Sequence, residues 1–412
     1  MAKIAVMGHG VVGSGVVEVL YKNRESITRR TGQEIDIKYI LDLRDFPDSP
    51  FHDKFIKDFS LIENDDEISV VVEVMGGLEP AFTYVRKCLE KGKSVATSNK
   101  ELVASKGAEL LRIARENNVN FFFEASVGGG IPIIRPLHQC LAANEIREIA
   151  GILNGTTNFI LTKMIRESMS FEDALKLAQQ LGYAERDPSA DVNGDDACRK
   201  ICILASLAFS NHIYPQNVPT EGITKITLED VEYAGNWGGV IKLIGVAKKM
   251  EDGKVLTFVS PALLHGDSQL ANVDDVFNAV LVRGDATGDV VFYGKGAGKL
   301  PTASAVVADV IDVVKAHGSS KSLYWNETED NFVGSHEKID TSFYLRMTAD
   351  DAAAAKQQIA ALFGDVQTLS RKHQPENELA FVTGTDTDEK LQAKLDSLHG
   401  VDILSKIRVL DY

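Results

Sequence analysis

The sequence predicts an α/β protein of three parts: an N-terminal parallel sheet covered by helices on both faces, a central α+β unit, and a small ferredoxin-like unit at the C-terminus. Three observations predict it. The first third of the 412 residues alternates short apolar strands with helices, the rhythm of a parallel sheet buried on both faces. After "GGGIPIIRP" that rhythm gives way to helices and then to strands of antiparallel character. From about Ile339 the order strand, helix, strand, strand, helix, strand makes one βαββαβ unit.

Taken in order, "KIAVMG" is a short apolar strand and "VVGSGVVEVLYKNRESI" a helix. "EIDIKYIL" and "SVVVEVM" are strands, and "PAFTYVRKCLEKG" is a helix stopped by Gly92. "KSVAT" and "VNFFFEASV" are further strands, separated by the helical "ELVASKGAELLRIARENN". In the central unit "EIREIAGIL" is a strand, followed by helices over "TTNFILTKMIRE", "SFEDALKLAQQLG" and "GDDACRKICILASLAF". "GKVLTFVSPALL" and "NAVLVRGDATGDVVFYG" then read as antiparallel strands. The expected boundaries are 1–134 for the dinucleotide-binding part, 135–299 for the substrate and dimerisation part, 318–338 for a linker and 339–412 for the tail. A helix over 300–317 is expected to return to the first part.

Composition narrows the function. Basic residues number 44 against 59 acidic, a net charge of −15. Such a balance argues against a nucleic-acid or anionic-membrane surface. Cys88, Cys140, Cys198 and Cys202 show no metal-site spacing and no disulfide framework. The chain enters a strand at once and lacks an apolar run of about eighteen residues, so a cytoplasmic protein is expected.

"VMGHGVVGSGV" places Gly8, Gly10 and Gly13 between a strand and a helix. The first glycine permits a tight turn, the second lets backbone approach a pyrophosphate, and the third lets helix pack on strand. Val11, Val12 and Gly13 then offer helix N-terminal N–H groups to the phosphates. Outside a βαβ series this would be only a glycine-rich turn; here it marks a Rossmann-type NAD or NADP site. An acidic residue should follow to bind the ribose, and Asp42 stands about thirty residues on with Arg44 beside it. Asp42 suits NAD and Arg44 a 2′-phosphate, which leaves the preference open.

Lys100 sits where "SVATSNKELVA" passes from strand to helix, facing the crevice at the carboxyl ends of the strands. A merely solvated lysine would be poorly placed at that end of a helix dipole. Glu124 closes an apolar strand beside three glycines. Carboxylate plus accessible carbonyls suits a hard cation, and an interdomain hinge is the other reading. In "LGYAERDPSADVNGDDACRK", Asp196 and Lys200 share a helix face one turn apart. They could be a surface ion pair of small value. The apolar "ICILASLAF" that follows instead sends the helix into a core and its start to a junction. There Glu185 and Asp196 could take a substrate ammonium, and Lys200 could act as general acid at a carbonyl.

These segments resemble the homoserine dehydrogenase family. The likeness runs in order through "GHGVVG", "ATSNKELVA", "EASVGGGIPII", "GILNGTTNFIL", "LGYAERDPSADVNGDDACRK" and "GKGAGKLPTASAVVAD", about three quarters of the chain. It implies NAD(P)-dependent interconversion of L-aspartate 4-semialdehyde and L-homoserine in threonine, methionine and isoleucine biosynthesis. It further implies Lys200 as proton donor, Lys100 near nicotinamide and substrate, and Glu185 and Asp196 as substrate acids. For a monovalent cation, usually Na+, it implies the Glu124 side chain with the carbonyls of Val127, Gly129 and Ile131. Asp191 is a further candidate substrate contact. Ser98, Lys100, Gly182, Gly296 and Gly298 are further candidate cofactor contacts.

The tail resembles an ACT regulatory domain, but its first turn reads "TADDAAAAK", without the usual proline and glycine. Asp350 or Asp351 is expected to cap a helix there. Threonine is accordingly expected to inhibit weakly or not at all through this tail, which would pair subunits. A homodimer or homotetramer is expected, because the central unit has too few helices to cover both faces of a sheet. Two rival readings remain: another nicotinamide-dependent dehydrogenase of a small semialdehyde or hydroxy acid, and a non-catalytic amino-acid sensor. The sensor reading would not need both Lys100 and Lys200.

Overall fold

Strands buried on both faces need near-continuous apolar runs, and the first sheet is built from such runs. In the computed structural model, which describes residues 1–316, 323–327 and 332–412, these strands are β1 (Ala2–Met7), β2 (Ile35–Leu41), β3 (Phe55–Ile56), β4 (Ile68–Glu73), β5 (Ser94–Thr97) and β6 (Phe121–Phe122). Every pairing is parallel, in the order β3-β2-β1-β4-β5-β6. The order reverses between β1 and β4, so a crevice opens beyond Met7 and Glu73, the usual ligand position in such sheets. Helix α1 (Val11–Lys22) leaves that crevice from β1, and α2 (Lys100–Glu116) leaves it from β5. The expected long first helix breaks at Asn23, and a separate helix Arg24–Thr31 follows. The "FFFEASV" strand is cut to two residues, with Glu124–Ser126 already a 3-10 turn.

The second sheet contains β7 (Ile146–Ile152), β8 (Gly239–Lys249), β9 (Val255–His265), β10 (Phe277–Gly284) and β11 (Gly288–Lys295). The short β12 (Val333–Gly334) pairs with β9. Sequence reading missed β8 altogether, because Lys242 interrupts an otherwise apolar run. Lys242 is fully buried, and its ammonium donates to the Val273 carbonyl at 2.6 Å and to Asp274 at 3.1 Å. The tail adds β13 (Ser342–Ala349), β14 (Gln367–Leu369), β15 (Glu378–Val382) and β16 (Val401–Leu410) to the same sheet. The full order is β11-β10-β7-β8-β9-β16-β13-β15-β14. The seam is parallel pairing of β16 with β9, Arg408 opposite Ala262. The tail therefore has its own core of Leu345, Met347, Ile359 and Leu391, but not its own sheet.

Three helices place the site. Helix α3 (Gly155–Glu167) follows β7, and α4 (Asp195–Phe209) is apolar around most of its girth. That profile belongs to a fully buried helix. Ile201 and Leu204 of α4 share a core with Val103 and Leu110 of α2 and with Ile241 and Leu243 of β8. The charged first turn of α4 is thus held at the junction of the two sheets. Helix α5 (Lys299–Lys315) puts Val306, Val310 and Val313 into the core of the first sheet with Ile4, Val6 and Val16. Of the expected linker, 318–322 and 328–331 lie outside the described residues, as does position 317 of the expected helix. The described remainder is packed: Trp325 is 1% exposed, against Phe123 and His212. One indole in a polar segment escaped periodicity.

Candidate active site

The turn after β1 fits a dinucleotide. Gly8 has φ +100°, and a Cβ there would lie 2.9 Å from the Val74 carbonyl oxygen. Gly10 is the N-cap of α1, with open space where its Cβ would be and no side chain capping the helix. The first N–H groups of α1 are free for an anion, and Val11 beside them is exposed. Asp42 follows β2 directly. Its carboxylate accepts from the His9 backbone N–H at 2.8 Å and from the Arg44 guanidinium at 2.9 and 3.0 Å. Arg44, hydrogen-bonded to it, holds the Asp42 carboxyl well below the usual carboxylate range. The two residues that point to different cofactors therefore bind each other.

A second cavity of about 680 Å³ opens on this crevice from the α4 side. Lys100, Glu185, Asp191, Asp196 and Lys200 line it, as do Gly182, Gly296 and Gly298. Five sequence segments far apart in the chain converge there. Ser98 stands just before Asn99, whose side chain caps α2 by accepting from Leu102 N–H at 3.1 Å. Lys100 is thereby the first residue of α2, and its ammonium pairs across the crevice with Asp196. This counter-charge explains how a lysine is tolerated at the positive end of a helix dipole.

Asp196 is 2% exposed. One of its oxygens pairs with Lys100; the other lies 2.8 Å from Lys200 Nζ and accepts from Asn154 Nδ2 at 2.8 Å. Burial alone would raise its pKa, but the two ammonium groups hold it well below the ordinary value. Lys200 is 7% exposed and also donates to the Leu153 carbonyl at 2.8 Å. Burial lowers its pKa, against the opposing pull of Asp196. Asp191, 2.7 Å from Asn154 Nδ2, is raised by burial and by the charge of Asp196. Of the two roles open to Asp196, the geometry supports orienting the lysines: its oxygens are already occupied. Asn154 was not singled out in the sequence. It caps α3 and bridges both aspartates, and an asparagine closing a strand before "GTT" was the available signal.

Glu124 is buried and held by its neighbours. Its carboxylate accepts from the backbone N–H groups of Ile133, Ile134 and Arg135 at 2.7 to 2.9 Å, and the Arg135 guanidinium lies 3.7 Å away. These bonds fix the orientation of the carboxylate, as hydrogen bonds commonly do for a carboxylate that ligates a metal ion. The carbonyls of the expected set are open. Among the described residues no backbone N–H donates to the carbonyls of Val127, Gly129 or Ile131. The glycines there have another reason as well: Gly129 has φ +55°, and its missing Cβ admits the backbone of Gly296.

A parallel sheet with a phosphate-binding turn at its switch point, beside a buried lysine–aspartate–lysine cluster, defines a nicotinamide-dependent oxidoreductase. Comparison with known proteins specifies which. The family model described as "Homoserine dehydrogenase" matches residues 132–311, and that described as "Homoserine dehydrogenase, NAD binding domain" matches 8–124. The homoserine dehydrogenase of Neisseria gonorrhoeae is 40% identical over 98% of this chain and 96% of its own length. The solved homoserine dehydrogenase of Thiobacillus denitrificans is 37% identical with a TM-score of 0.91, covering 99% of this chain and 98% of that one. A hyperthermophilic archaeal homoserine dehydrogenase mutant, solved in complex with NADPH, is 29% identical over 76% of this chain and 97% of its own, with a TM-score of 0.64. The chain belongs to the homoserine dehydrogenase family and is an NAD(P)-dependent oxidoreductase.

Proposed function

We propose that the crevice interconverts L-homoserine and L-aspartate 4-semialdehyde, with Lys200 as the proton-transferring residue. The observation that carries this is Lys200 itself: buried, fixed by Asp196 and the Leu153 carbonyl, and still on the cavity wall. When bound, the nicotinamide supplies or accepts the hydride. Gly8, Gly10, Val11, Val12 and Gly13 would hold its pyrophosphate, and Asp42 or Arg44 its ribose end; Ser98, Lys100, Gly182, Gly296 and Gly298 would complete the contact.

In the reducing direction Lys200 gives a proton to the carbonyl oxygen as negative charge develops there, and Lys100 adds a second positive charge at the same wall. Such preorganised charge is commonly the largest single catalytic contribution. Asp196 orients both lysines, while Glu185 and Asp191 take the substrate ammonium. A monovalent cation such as Na+ would be held by the Glu124 carboxylate and the carbonyls of Val127, Gly129 and Ile131, bracing the loop that meets Gly296.

We further propose a cytoplasmic homodimer or homotetramer whose ACT-like tail serves subunit pairing. Val291 and Tyr293 support assembly, being 38% and 56% exposed on the edge strand β11. Light scattering should report more than the 44.9 kDa of one chain. None of the 13 helices is long and apolar enough among the described residues to cross a membrane.

Purified protein should reduce NAD+ or NADP+ with L-homoserine at alkaline pH. A folded sample that reduces neither defeats the reading. Turnover of other small hydroxy acids in the same assay, without homoserine, would favour the broader dehydrogenase alternative.

A further inference from the structure

Two acids of the crevice meet at one amide. Asn154 is 6% exposed, follows β7, and caps α3 by accepting from the Thr157 N–H at 2.8 Å. Its Nδ2 group gives one hydrogen to Asp191 Oδ1 at 2.7 Å and the other to Asp196 Oδ2 at 2.8 Å. These partners fix the orientation of the amide. Turned over, it would set its oxygen against two carboxylates and its NH2 against the Thr157 N–H. The residue before it also serves the site, since the Leu153 carbonyl accepts from Lys200 Nζ at 2.8 Å.

Asparagine, aspartate and serine cap helices about equally well, so the cap alone does not call for asparagine. The two acids do. Asp191 sits on the short helix Ser189–Val192 and Asp196 on α4, and the charge of one disfavours that of the other. An ionised aspartate between them would donate nothing and a serine only once, whereas an asparagine donates twice without charge. The balance at Lys200 depends on the same arrangement. The charged groups acting on its Nζ are Asp196 on its own helix, Lys100 on α2 and Asp191. Glu185, Asp187, Arg199 and Lys295 share the cavity wall. Burial and Lys100 disfavour the ammonium form of Lys200, and the two aspartates favour it. An uncharged Asn154 keeps a third carboxylate out of that balance.

We propose that Asn154 is a positioning residue for the reaction, given the proton-transfer role of Lys200 proposed above. It holds Asp191 toward the substrate ammonium and Asp196 on the two lysines, and its lack of charge leaves Lys200 a usable base.

The test compares two variants that preserve the cap, Asn154→Asp and Asn154→Ser, by the pH dependence of kcat/KM for L-homoserine oxidation. Aspartate adds a negative charge close to Lys200 and favours its ammonium form. The acid limb should therefore move up by about one to three pH units. Serine adds no charge, so its limb should not move up. It cannot bridge both acids, and the KM for L-homoserine should rise roughly tenfold or more, the effect of a lost hydrogen bond to a charged group. The KM for the cofactor should stay near that of the parent in both. Parental limbs and parental homoserine KM in both variants would leave Asn154 a helix cap and overturn the proposal. An Asn154→Asp limb that stays in place or moves down overturns it too, as does a cofactor KM that rises as much as that for homoserine. Should Asn154→Asp fail to fold, the homoserine KM of Asn154→Ser decides alone. A parent that does not turn over homoserine is a different failure, that of the assigned reaction.

Discussion

Two of the buried ionic clusters among the described residues are built from different cations. In the crevice, Asp196 lies between the ammonium groups of Lys100 and Lys200. At the junction of tail and second sheet, Arg346 of β13 lies between Asp230 and Glu378, 3.0 Å and 3.8 Å away. There the Tyr344 hydroxyl and the Thr227 N–H complete Asp230, while the Tyr233 hydroxyl and Arg371 complete Glu378. A guanidinium keeps its charge at any ordinary pH and fixes its donors in a plane, which suits a clamp. An ammonium shifts its pKa with burial and rotates freely, which suits proton transfer. The lysine cluster opens on a cavity of about 680 Å³. Residue type and access together separate a cluster suited to proton transfer from one suited to holding the tail in place.

The comparison breaks first if the two clusters respond alike to loss of their cation. Lys200→Ala should lower kcat by roughly 10² to 10⁴, the usual size of general acid–base catalysis, with cofactor binding retained. Arg346→Met should instead cost about 3–5 kcal/mol of stability, since two carboxylates lose a buried partner, while kcat per folded molecule stays near that of the parent. Steady-state kinetics beside denaturant unfolding reads both. Near-normal turnover in the lysine variant would remove Lys200 from the mechanism.

The crevice was legible in the sequence because its polar residues stand out against apolar surroundings. Lys100 begins a helix, Glu124 follows an apolar strand, and Asp196 with Lys200 precedes "ICILASLAF". The arginine cluster was not legible. Asp230, Arg346 and Glu378 come from three separate segments, each with an ordinary solvated-looking charge; the β13–β15 pairing sets Arg346 beside Glu378, and the tail that meets Asp230 is joined to the second sheet by the β9–β16 pairing. The same pairing hid the continuity of the second sheet, since a βαββαβ order looks self-contained. Glu124 was legible only in part. Its burial was inferable, but the three N–H groups that occupy it come from a turn no pattern announced.

A finer probe is the acid limb of the pH–rate profile. On the proposed role, the neutral amine of Lys200 accepts the alcohol proton in homoserine oxidation, so the rate should rise as pH passes through the Lys200 pKa. Burial sets that pKa below the ordinary lysine value, and Asp196 works against the shift. Asp196→Asn removes the opposing charge, lowers the pKa further, and should move the limb of kcat/KM to lower pH while reducing its plateau. A limb that stays in place or moves upward would mean that Asp196 does not set the basicity of Lys200.

The smallest effect tests the tail turn, where the ACT resemblance and the residues part. Helix α6 (Ala352–Phe363) starts at once after β13, and Asp351 is its N-cap. The Asp351 carboxylate accepts from Ala353 and Ala354 N–H at 2.9 and 3.1 Å. These are the donors that an effector carboxylate would need at a helix start. They are already taken by a group of the same charge, and each alanine adds a Cβ where close backbone approach would favour glycine. Threonine should therefore inhibit weakly or not at all through this turn. Truncation before Ile339 is a poor control, because it would strip β16 from β9. Asp351→Ala is the better one. It should cost about 1 kcal/mol, the value of a lost N-cap, and leave the threonine response of the assay unchanged. A response that is strong in the parent and changes sharply in Asp351→Ala would show that the turn binds the effector after all, and would turn a holding element of the tail into a regulatory one.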